Sequence, residues 1–418
     1  EQEDIIDAIE GSDKHFFITG KAGTGKSTLL QGLKNITDKK YVVAAPTGVA
    51  APNVGGQTIH SLFKLSVKFK DPEDIKVSKS TAKLLSKIEM LIIDEVSMLR
   101  ADILDSINIV LQKSRDNYEP FGGVQVVMFG DLYQLPPIIS DKELVQYFKD
   151  HYTSHYFFAA HVWQSTELYL QELQTIFRQE DTDFQAMLNG FRVRSFDSAL
   201  LRKLNERVQE PDDGDSIVTL ALTNKTVKQI NEEALDQLSK EVYEYEAEIS
   251  GDMEPSAYPT EEVLRLKVGA QVMFLKNDPE QRWVNGSIGE VEYLDSDCIE
   301  VRVNGELHEV KKSKWDKIKY SYDELSQKIK EDVVSSFTQY PLRLAWAITV
   351  HKSQGQTLDK VVFDIERGAF AHGQTYVALS RCLSFEGLFL KKPIRARDII
   401  VDLKVSEFMR AISNNGEF

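Results

Sequence analysis

Short apolar runs separated by amphipathic stretches set the rhythm of the first half of the chain. His15–Thr19, Tyr41–Ala45, Met90–Ile93 and Val124–Phe129 are largely apolar throughout rather than alternating, the pattern of strands covered on both faces. Between them the residues after Gly25 through Leu33 read as a helix. Ala101–Lys113 places Ile103, Leu104, Ile107, Val110 and Leu111 at helical spacing. Alternating strand and helix predicts a parallel sheet with helices on both faces, and ligands beyond the carboxyl ends of its strands.

The rhythm breaks twice. LSVKFKDPEDIKVSKS, from Leu65 to Ser80, reads as a small insertion. The α/β pattern resumes with the buried strand IVTLALTN and an amphipathic helix over Lys225–Leu238. From about residue 240 the composition changes. Glu241–Glu262 is acidic and lacks a helical period, and Leu264–Val310 becomes short strands with Asn-Gly steps, which predict hairpins and a small barrel. Buried strands and helices return from Leu342. Two α/β cores, the second interrupted by a β-rich module, account for this order.

Composition narrows the class. A chain of 418 residues exceeds what one hydrophobic core usually supports. Its 42% hydrophobic and 28% charged residues are those of an ordinary globular protein. No apolar run approaches the length of a bilayer span, so no membrane role is expected. The opening EQEDIIDAIE is acidic and amphipathic, unlike a targeting peptide. Cys298 and Cys382 stand in unrelated contexts and the histidines are scattered, which predicts no metal cluster and reduced thiols inside a cell. That means cytoplasm or nucleoid in a bacterium, nucleus or mitochondrion in a eukaryote. The net charge of −15 argues mildly against a nucleic-acid partner, yet a narrow basic channel can sit inside an acidic exterior. Lys311, Lys312, Lys314, Lys317 and Lys319 are read equally well as part of such a channel or as a solvated face.

The chemistry is carried by spaced motifs. Gly20-x4-Gly25-Lys26-Ser27 follows a strand and opens a helix, the context of a phosphate-binding loop. Gly20, Gly23 and Gly25 let backbone N–H groups turn around phosphate oxygens, Lys26 reaches the β- and γ-phosphates, and the Ser27 hydroxyl ligates Mg²⁺. Leu91-Ile92-Ile93-Asp94-Glu95 ends a buried strand in two carboxylates. Asp94 suits the magnesium shell, and Glu95 the attacking water. In Gly130-Asp131-x-x-Gln134-Leu135-Pro136-Pro137 the Gln134 amide suits a sensor of the γ-phosphate, while read alone the segment is equally a stiff turn. Arg178 and Arg381 each suit a charge on the transferring phosphoryl group; each in isolation is more readily a surface or ion-pair residue.

Taken in order, GKAGTGKST, APTGVAA, GQTIHSLF, IIDEVSM, VVMFGDLYQLPP, LQTIFRQ, LALTN, PLRLAWAITVHKSQGQTLD and YVALSRC resemble the superfamily 1B DNA helicases of the Pif type (petite integration frequency family), related to RecD-like helicases. The match runs from about residue 1 to residue 390. It implies two RecA-like P-loop NTPase cores: residues 1–63 and 78–174 as core 1A, and residues 175–238 and 331–418 as core 2A. Residues 64–77 would be the wedge 1B and residues 239–330 an SH3-like module 2B.

The resemblance also implies ATP between the cores. Lys26, Asp94, Glu95 and Gln134 would come from the first core and Arg178 and Arg381 from the second. Gln2, Gly20, Ala22, Gly23, Thr24, Gly25, Ser27, Thr28 and Gly355 would complete the cradle. For DNA it implies Pro46, Thr47, Gly48, Thr58, His60, Phe63, Lys276, Asn285, Gly286, Thr349, His351, Lys352, Ser353 and Gln356. Such hydroxyls, amides and few basic groups hold a single strand without reading its sequence. The implied activity is ATP- and Mg²⁺-dependent 5′-to-3′ unwinding of forks, R-loops, D-loops and G-quadruplexes. It would serve replication, recombination, repair and telomere maintenance, by a monomer or a DNA-induced dimer. Two other readings are a translocase subunit of a nuclease complex and a catalytically silent single-strand-binding protein. Intact Lys26, Glu95, Gln134 and both arginines disfavour the last.

Overall fold

In a computed structural model the described residues are 2–47, 50–66, 75–139, 142–179, 181–211 and 217–413. Gly48 and most of the proposed wedge, residues 67–74, lie outside them. The chain divides into two compact units. One comprises Glu1–Phe177, Lys317–Val334 and Asp402–Phe418; the other comprises Arg178–Asp316 and Ser335–Val401.

The first unit is built on six strands: β1 (His15–Gly20), β2 (Tyr41–Ala45), β3 (Gln57–Thr58), β4 (Met90–Ile93), β5 (Gln125–Phe129) and β6 (Leu168–Leu173). They lie in the order β3-β2-β4-β5-β1-β6, and all five pairings are parallel. β1, β4 and β5 are buried along their whole length, which their apolar runs predicted. One face of the sheet is covered by the helices Gln2–Glu10 and Lys26–Ile36, whose Ile5, Ile6, Ile9, Leu29, Leu30 and Leu33 pack on Phe16, Ile18, Ile92 and Val127. The helix Ala101–Arg115 buries Ile103, Leu104, Ile107, Val110 and Leu111, the stripe read from the sequence.

Two segments extend this unit beyond the boundaries expected for core 1A. Helix Leu403–Ser413, assigned from the sequence to core 2A, belongs here. Its Phe408 stacks on Phe158 at 4.3 Å between ring centroids, and the Tyr156 hydroxyl donates to Asp402 at 3.2 Å. Aromatic stacking across more than two hundred residues of chain is invisible to local periodicity. The chain also stays with this unit to Phe177, whose N–H donates to the Gly23 carbonyl at 2.8 Å.

The second unit contains a four-stranded parallel sheet and an antiparallel module. Its strands are β7 (Val218–Ala221), β8 (Tyr243–Glu246), β9 (Glu248–Gly251), β10 (Val263–Leu266), β11 (Gln271–Phe274), β12 (Ile288–Leu294), β13 (Ile299–Val303), β14 (Glu306–Val310), β15 (Ser313–Asp323), β16 (Lys328–Gln339), β17 (Leu342–Leu344), β18 (Ala347–Thr349), β19 (Val361–Asp364) and β20 (Leu388–Leu390). The parallel sheet runs β18-β7-β19-β20 and the antiparallel one β14-β13-β12-β11-β17. Because β17 pairs with β11, Leu344 opposite Val272, the module runs past the residue 330 boundary expected for 2B. Asn304 and Gly305, at φ 52° and 82°, make the two-residue turn joining β13 and β14 that their dipeptide predicted. Asn285-Gly286 does not: it sits inside the longer connection between β11 and β12, where the Gly286 N–H donates to the Phe274 carbonyl at 2.8 Å.

β15 and β16 form a long ribbon. Its base pairs with β9 in the second unit, and its outer part, Lys317–Val334, packs within the first. There Tyr320 is buried. Its hydroxyl donates to the Gly55 carbonyl at 3.3 Å, and the side-chain amide of Gln57 donates to the Ile318 carbonyl at 2.8 Å. Sequence reading had placed this whole ribbon in or beside 2B.

His15 gives the first unit a dependence on pH. Buried between Phe121 and Trp163, it accepts a hydrogen bond from the Val126 N–H, and burial pulls its pKa from 6.5 down to about 4. The neutral ring is the native form, so the unfolded chain binds the extra proton as pH falls below 6.5. The native state should lose about 3 kcal/mol of relative stability by pH 4 from this group. Denaturant unfolding of the wild type and His15→Asn between pH 7 and 4.5 should show a shallower acid loss in the variant; parallel curves would assign the loss to other groups.

Candidate active site

Parallel pairing of β4, β5 and β1 brings three loops to one edge of the first unit. The loop after β1 turns on three glycines with positive φ, Gly20 at 153°, Gly23 at 80° and Gly25 at 82°. A Cβ on Gly20 would lie 2.6 Å from the Thr24 hydroxyl and 2.9 Å from the Leu173 carbonyl, so glycine is required there. Thr24 and Ala22 are buried beneath the loop, and Ser27 and Thr28 are exposed at the start of the Lys26–Ile36 helix. The Lys26 ammonium donates to the carbonyls of Gly20 at 2.7 Å and Lys21 at 2.9 Å.

The loop after β4 carries the carboxylate pair. Burial pushes Asp94 up to about 6, against the pull of the Glu95 backbone N–H and the Lys26 charge. A carboxyl so desolvated gains most from a cation, and its oxygens with the Ser27 hydroxyl are the hard donors that a Mg²⁺ ion would take. Glu95 adopts a left-handed backbone, φ 51° and ψ 41°, rare for a residue with a side chain. The loop after β5 completes the edge. Asp131 is fully buried and accepts from the Tyr133 N–H at 3.1 Å, while the Gln134 side-chain amide lies 3.5 Å from its other oxygen.

Two groups stand over the loop from the chain's own flanks. A Cβ on Gly25 would be 3.0 Å from the Gln2 side-chain nitrogen and 3.7 Å from the ring of Phe177. Gln2 is thus beside the loop. Phe177 is 68% exposed although its backbone is tied to Gly23. Sequence reading passed over it for the neighbouring Arg178; the available signal was an apolar ring with no helical or strand partner in LQTIFRQ.

The second unit holds the two arginines together at Ser380. Arg178 donates to the Ser380 carbonyl at 3.3 Å, and Arg381 donates to the Ser380 hydroxyl at 3.0 Å. Arg381 is only 1% exposed. Its guanidinium also donates to the carbonyls of Val377 at 3.0 Å, Ser353 at 3.3 Å and Gln356 at 3.4 Å. In this structure it clamps the HKSQGQT loop from beneath. Gly355, φ 81°, is exposed in that loop.

Several expected DNA contacts are placed differently. Phe63 is buried in the core at 2% exposure, so its ring is a packing group and not a stacking platform for bases. The Ser353 hydroxyl donates to the Val350 carbonyl and Thr349 accepts from the Lys352 N–H, so both hydroxyls shape the loop. Thr47 and Thr58 likewise accept from the N–H groups of Ala50 and Ser61 at helix starts. Pro46 and His60 keep partial exposure, and burial lowers the pKa of both His60 and His351. The structure does bring together Asn285–Gly286 and Gln356: a Cβ on Gly286 would lie 3.5 Å from the Gln356 Cβ. The side-chain oxygens of Asn285 and Gln356 are both buried without a partner, amides poised for an incoming donor. Lys276 is exposed, donating to the Lys314 carbonyl at 2.8 Å beside the Trp315 ring.

The family profile of PIF1-like helicases matches residues 1–214. The ATP-dependent DNA helicase Pif1 of Bdellovibrio bacteriovorus is 34% identical over 98% of this chain and 91% of its own length. The chain belongs to the Pif1-like helicase family. The Danio rerio helicase PIF1 is also 34% identical, over 93% of this chain but 60% of its own length, so the chain spans well under two thirds of that relative. Among solved structures, Bacteroides sp Pif1 in complex with ADP-AlF4 superposes with a TM-score of 0.92 at 37% identity, covering 99% of this chain and 97% of that one. The same protein bound to ssDNA gives 0.73 at 38% identity, with coverage of 99% and 97%. A parallel sheet carrying the nucleotide loop, with an antiparallel insertion in the second unit, is the architecture of this family.

The buried clamp gives Arg381 a structural part in this Pif1-like chain. Arg381→Ala should cost about 2–4 kcal/mol of stability, because several carbonyls lose a buried charged donor. Amide hydrogen exchange over residues 351–357 should accelerate in the nucleotide-free protein. Unchanged exchange there would mean that the loop is held by other contacts.

Proposed function

We propose that this chain, a Pif1-like helicase, hydrolyses ATP at the Gly20–Ser27 loop to move 5′ to 3′ along single-stranded DNA. Forks, R-loops, D-loops and G-quadruplexes are the proposed substrates. The observation that carries the reading is the convergence of Lys26, Asp94, Glu95 and Gln134 on the loop edge of one parallel sheet, in a chain of this family. Magnesium bound by Ser27 and Asp94 would neutralise charge on the phosphates during transfer. Glu95 orients and deprotonates the attacking water, and Gln134 reports whether the γ-phosphate is present.

Phe177 and Gln2 give the adenine a flat apolar partner and an amide that reads its edge. Arg178 and Arg381 supply positive charge to the transferring group, so that hydrolysis and the hold on DNA change together. For Arg381 that role requires exchanging the Ser353 and Gln356 carbonyls for phosphate oxygens. Single-stranded DNA is proposed to contact the segments around Pro46, Thr58 and His60 in the first unit, and Lys276, Asn285, Gly286, His351, Lys352 and Gln356 in the second. The working form is proposed to be a monomer, located inside the cell. The Bacteroides structures with ADP-AlF4 and with ssDNA support the nucleotide and DNA parts of this reading by relationship.

Lys26→Ala should abolish ATPase and unwinding while single-strand binding persists; ATPase at the wild-type rate would sink the assignment. Phe177→Ala should raise the KM for ATP about tenfold, the loss of roughly 1.4 kcal/mol of stacking, with kcat little changed. An unmoved KM for ATP would remove the ring from that role. Polarity is decided by unwinding of duplexes carrying a 5′ or a 3′ tail: the 5′-tailed one should open with ATP, and preferential opening of the other would overturn the direction.

A further inference from the structure

The lysine run that sequence reading left divided between channel and solvated face is split by the fold. Lys317 and Lys319 lie on the outer part of β15 within the first unit, flanking Ile318, whose carbonyl is bonded to Gln57. Gln57 also accepts from the Tyr320 N–H at 3.3 Å, so its amide clips the ribbon by two backbone atoms. From that clip β3 leads directly into the helix Ile59–Phe63, which ends at Lys64 in a left-handed turn, φ 55°. A one-turn helix separates the clip from Lys64, and the three ammonium groups therefore share one locality. Lys64 feels the other two: burial first, then the charges of Lys319 and Lys317, hold it below the usual lysine range.

Like charges are costly to gather unless an anion offsets them. Four of the ribbon's carboxylates are committed elsewhere: Asp316 to Lys314 at 2.9 Å, Asp323 to Lys330 at 2.6 Å, Glu324 to Lys83 at 2.8 Å, and Asp332 to the Ser321 hydroxyl at 2.6 Å; a fifth, Glu331, lies by Lys34 and Tyr41. Among the described residues, Lys64, Lys317 and Lys319 form no ion pair with a carboxylate. On a chain of net charge −15 this is a local reversal of sign.

We propose that Lys64, Lys317 and Lys319 form a phosphate-binding patch for the nucleic-acid backbone, joining the end of the Ile59–Phe63 helix to the outer face of β15. The inference rests on the DNA-binding reading above, and places a contact beyond the residues that reading uses. Ammonium groups meeting phosphate oxygens recognise charge, not base identity. The patch directly follows Thr58 and His60, so a backbone lying on that segment would continue onto it.

The test is the salt dependence of binding by the full chain to fluorescent oligo-dT and, separately, to a blunt duplex. Replacing one lysine by glutamine at each of the three positions should reduce the slope of log K against log salt by about 0.7 per lost contact on a single strand and about 0.9 on duplex. The triple variant Lys64→Gln/Lys317→Gln/Lys319→Gln should therefore lose about 18-fold less affinity than wild type between 50 and 200 mM salt on oligo-dT. The corresponding arginine variants should keep the wild-type slope, and Lys228→Gln, on a helix of the second unit, serves as the surface control. A slope reduced on either DNA form supports the patch and identifies which form it holds. Wild-type slopes on both, in a triple variant with an unchanged melting temperature, overturn it. Failure of the wild type to bind either DNA would instead overturn the DNA-binding reading.

Discussion

Parallel pairing is the constraint from which the site follows. When β4, β5 and β1 run side by side in the same direction, their carboxyl ends meet at one edge, and whatever each strand ends in is delivered there. These strands end in a glycine loop, two carboxylates and a buried aspartate with its glutamine. The apolar cover of the Gln2–Glu10 and Lys26–Ile36 helices keeps the sheet dry, so polar groups at its edge are held in a low dielectric. That is why Asp94 is pushed up to about 6 and why Lys26 turns back onto two carbonyls.

The second unit solves a different problem with the same physics. Arg381 is a fully buried cation, tolerable only because three carbonyls and a hydroxyl, from four residues, receive its donors. Two of those carbonyls belong to the loop that also carries His351, Lys352 and Gln356. Any event that takes the guanidinium away leaves that loop's carbonyls unpaired, so the shape of the loop depends on a single side chain. Its partner Arg178 reaches the backbone of Ser380, which ties both arginines to the same residue.

The motifs and the strands that carry them were legible because their signals are local. A buried parallel strand needs an apolar run, a phosphate loop needs glycines with positive φ, and a two-residue hairpin needs a pair such as Asn304-Gly305. The positions of Lys26, Asp94, Glu95 and Gln134 on one edge could be foreseen from order alone. Residue type without burial was less informative. Phe63 looked like a stacking ring and is core, whereas Phe177 looked incidental and is an exposed ring on the nucleotide loop. The hydroxyls of Thr47, Thr58, Thr349 and Ser353 had been assigned to DNA, yet each is engaged by its own backbone.

What the sequence by itself determined was the chemistry and its order: two α/β halves, the nucleotide loop, the acids and the β-rich insertion. Only the tertiary structure decided which unit each late segment joins. The Leu403–Ser413 helix packs its Phe408 on Phe158, and the β15–β16 ribbon is clipped to the first unit by Gln57 and Tyr320. Those contacts join residues more than two hundred positions apart. They are won by ring stacking and by satisfying buried amides, neither of which leaves a periodic trace in the chain. The same long-range packing sets Lys317 and Lys319 beside Lys64, turning an ambiguous run of charge into a place.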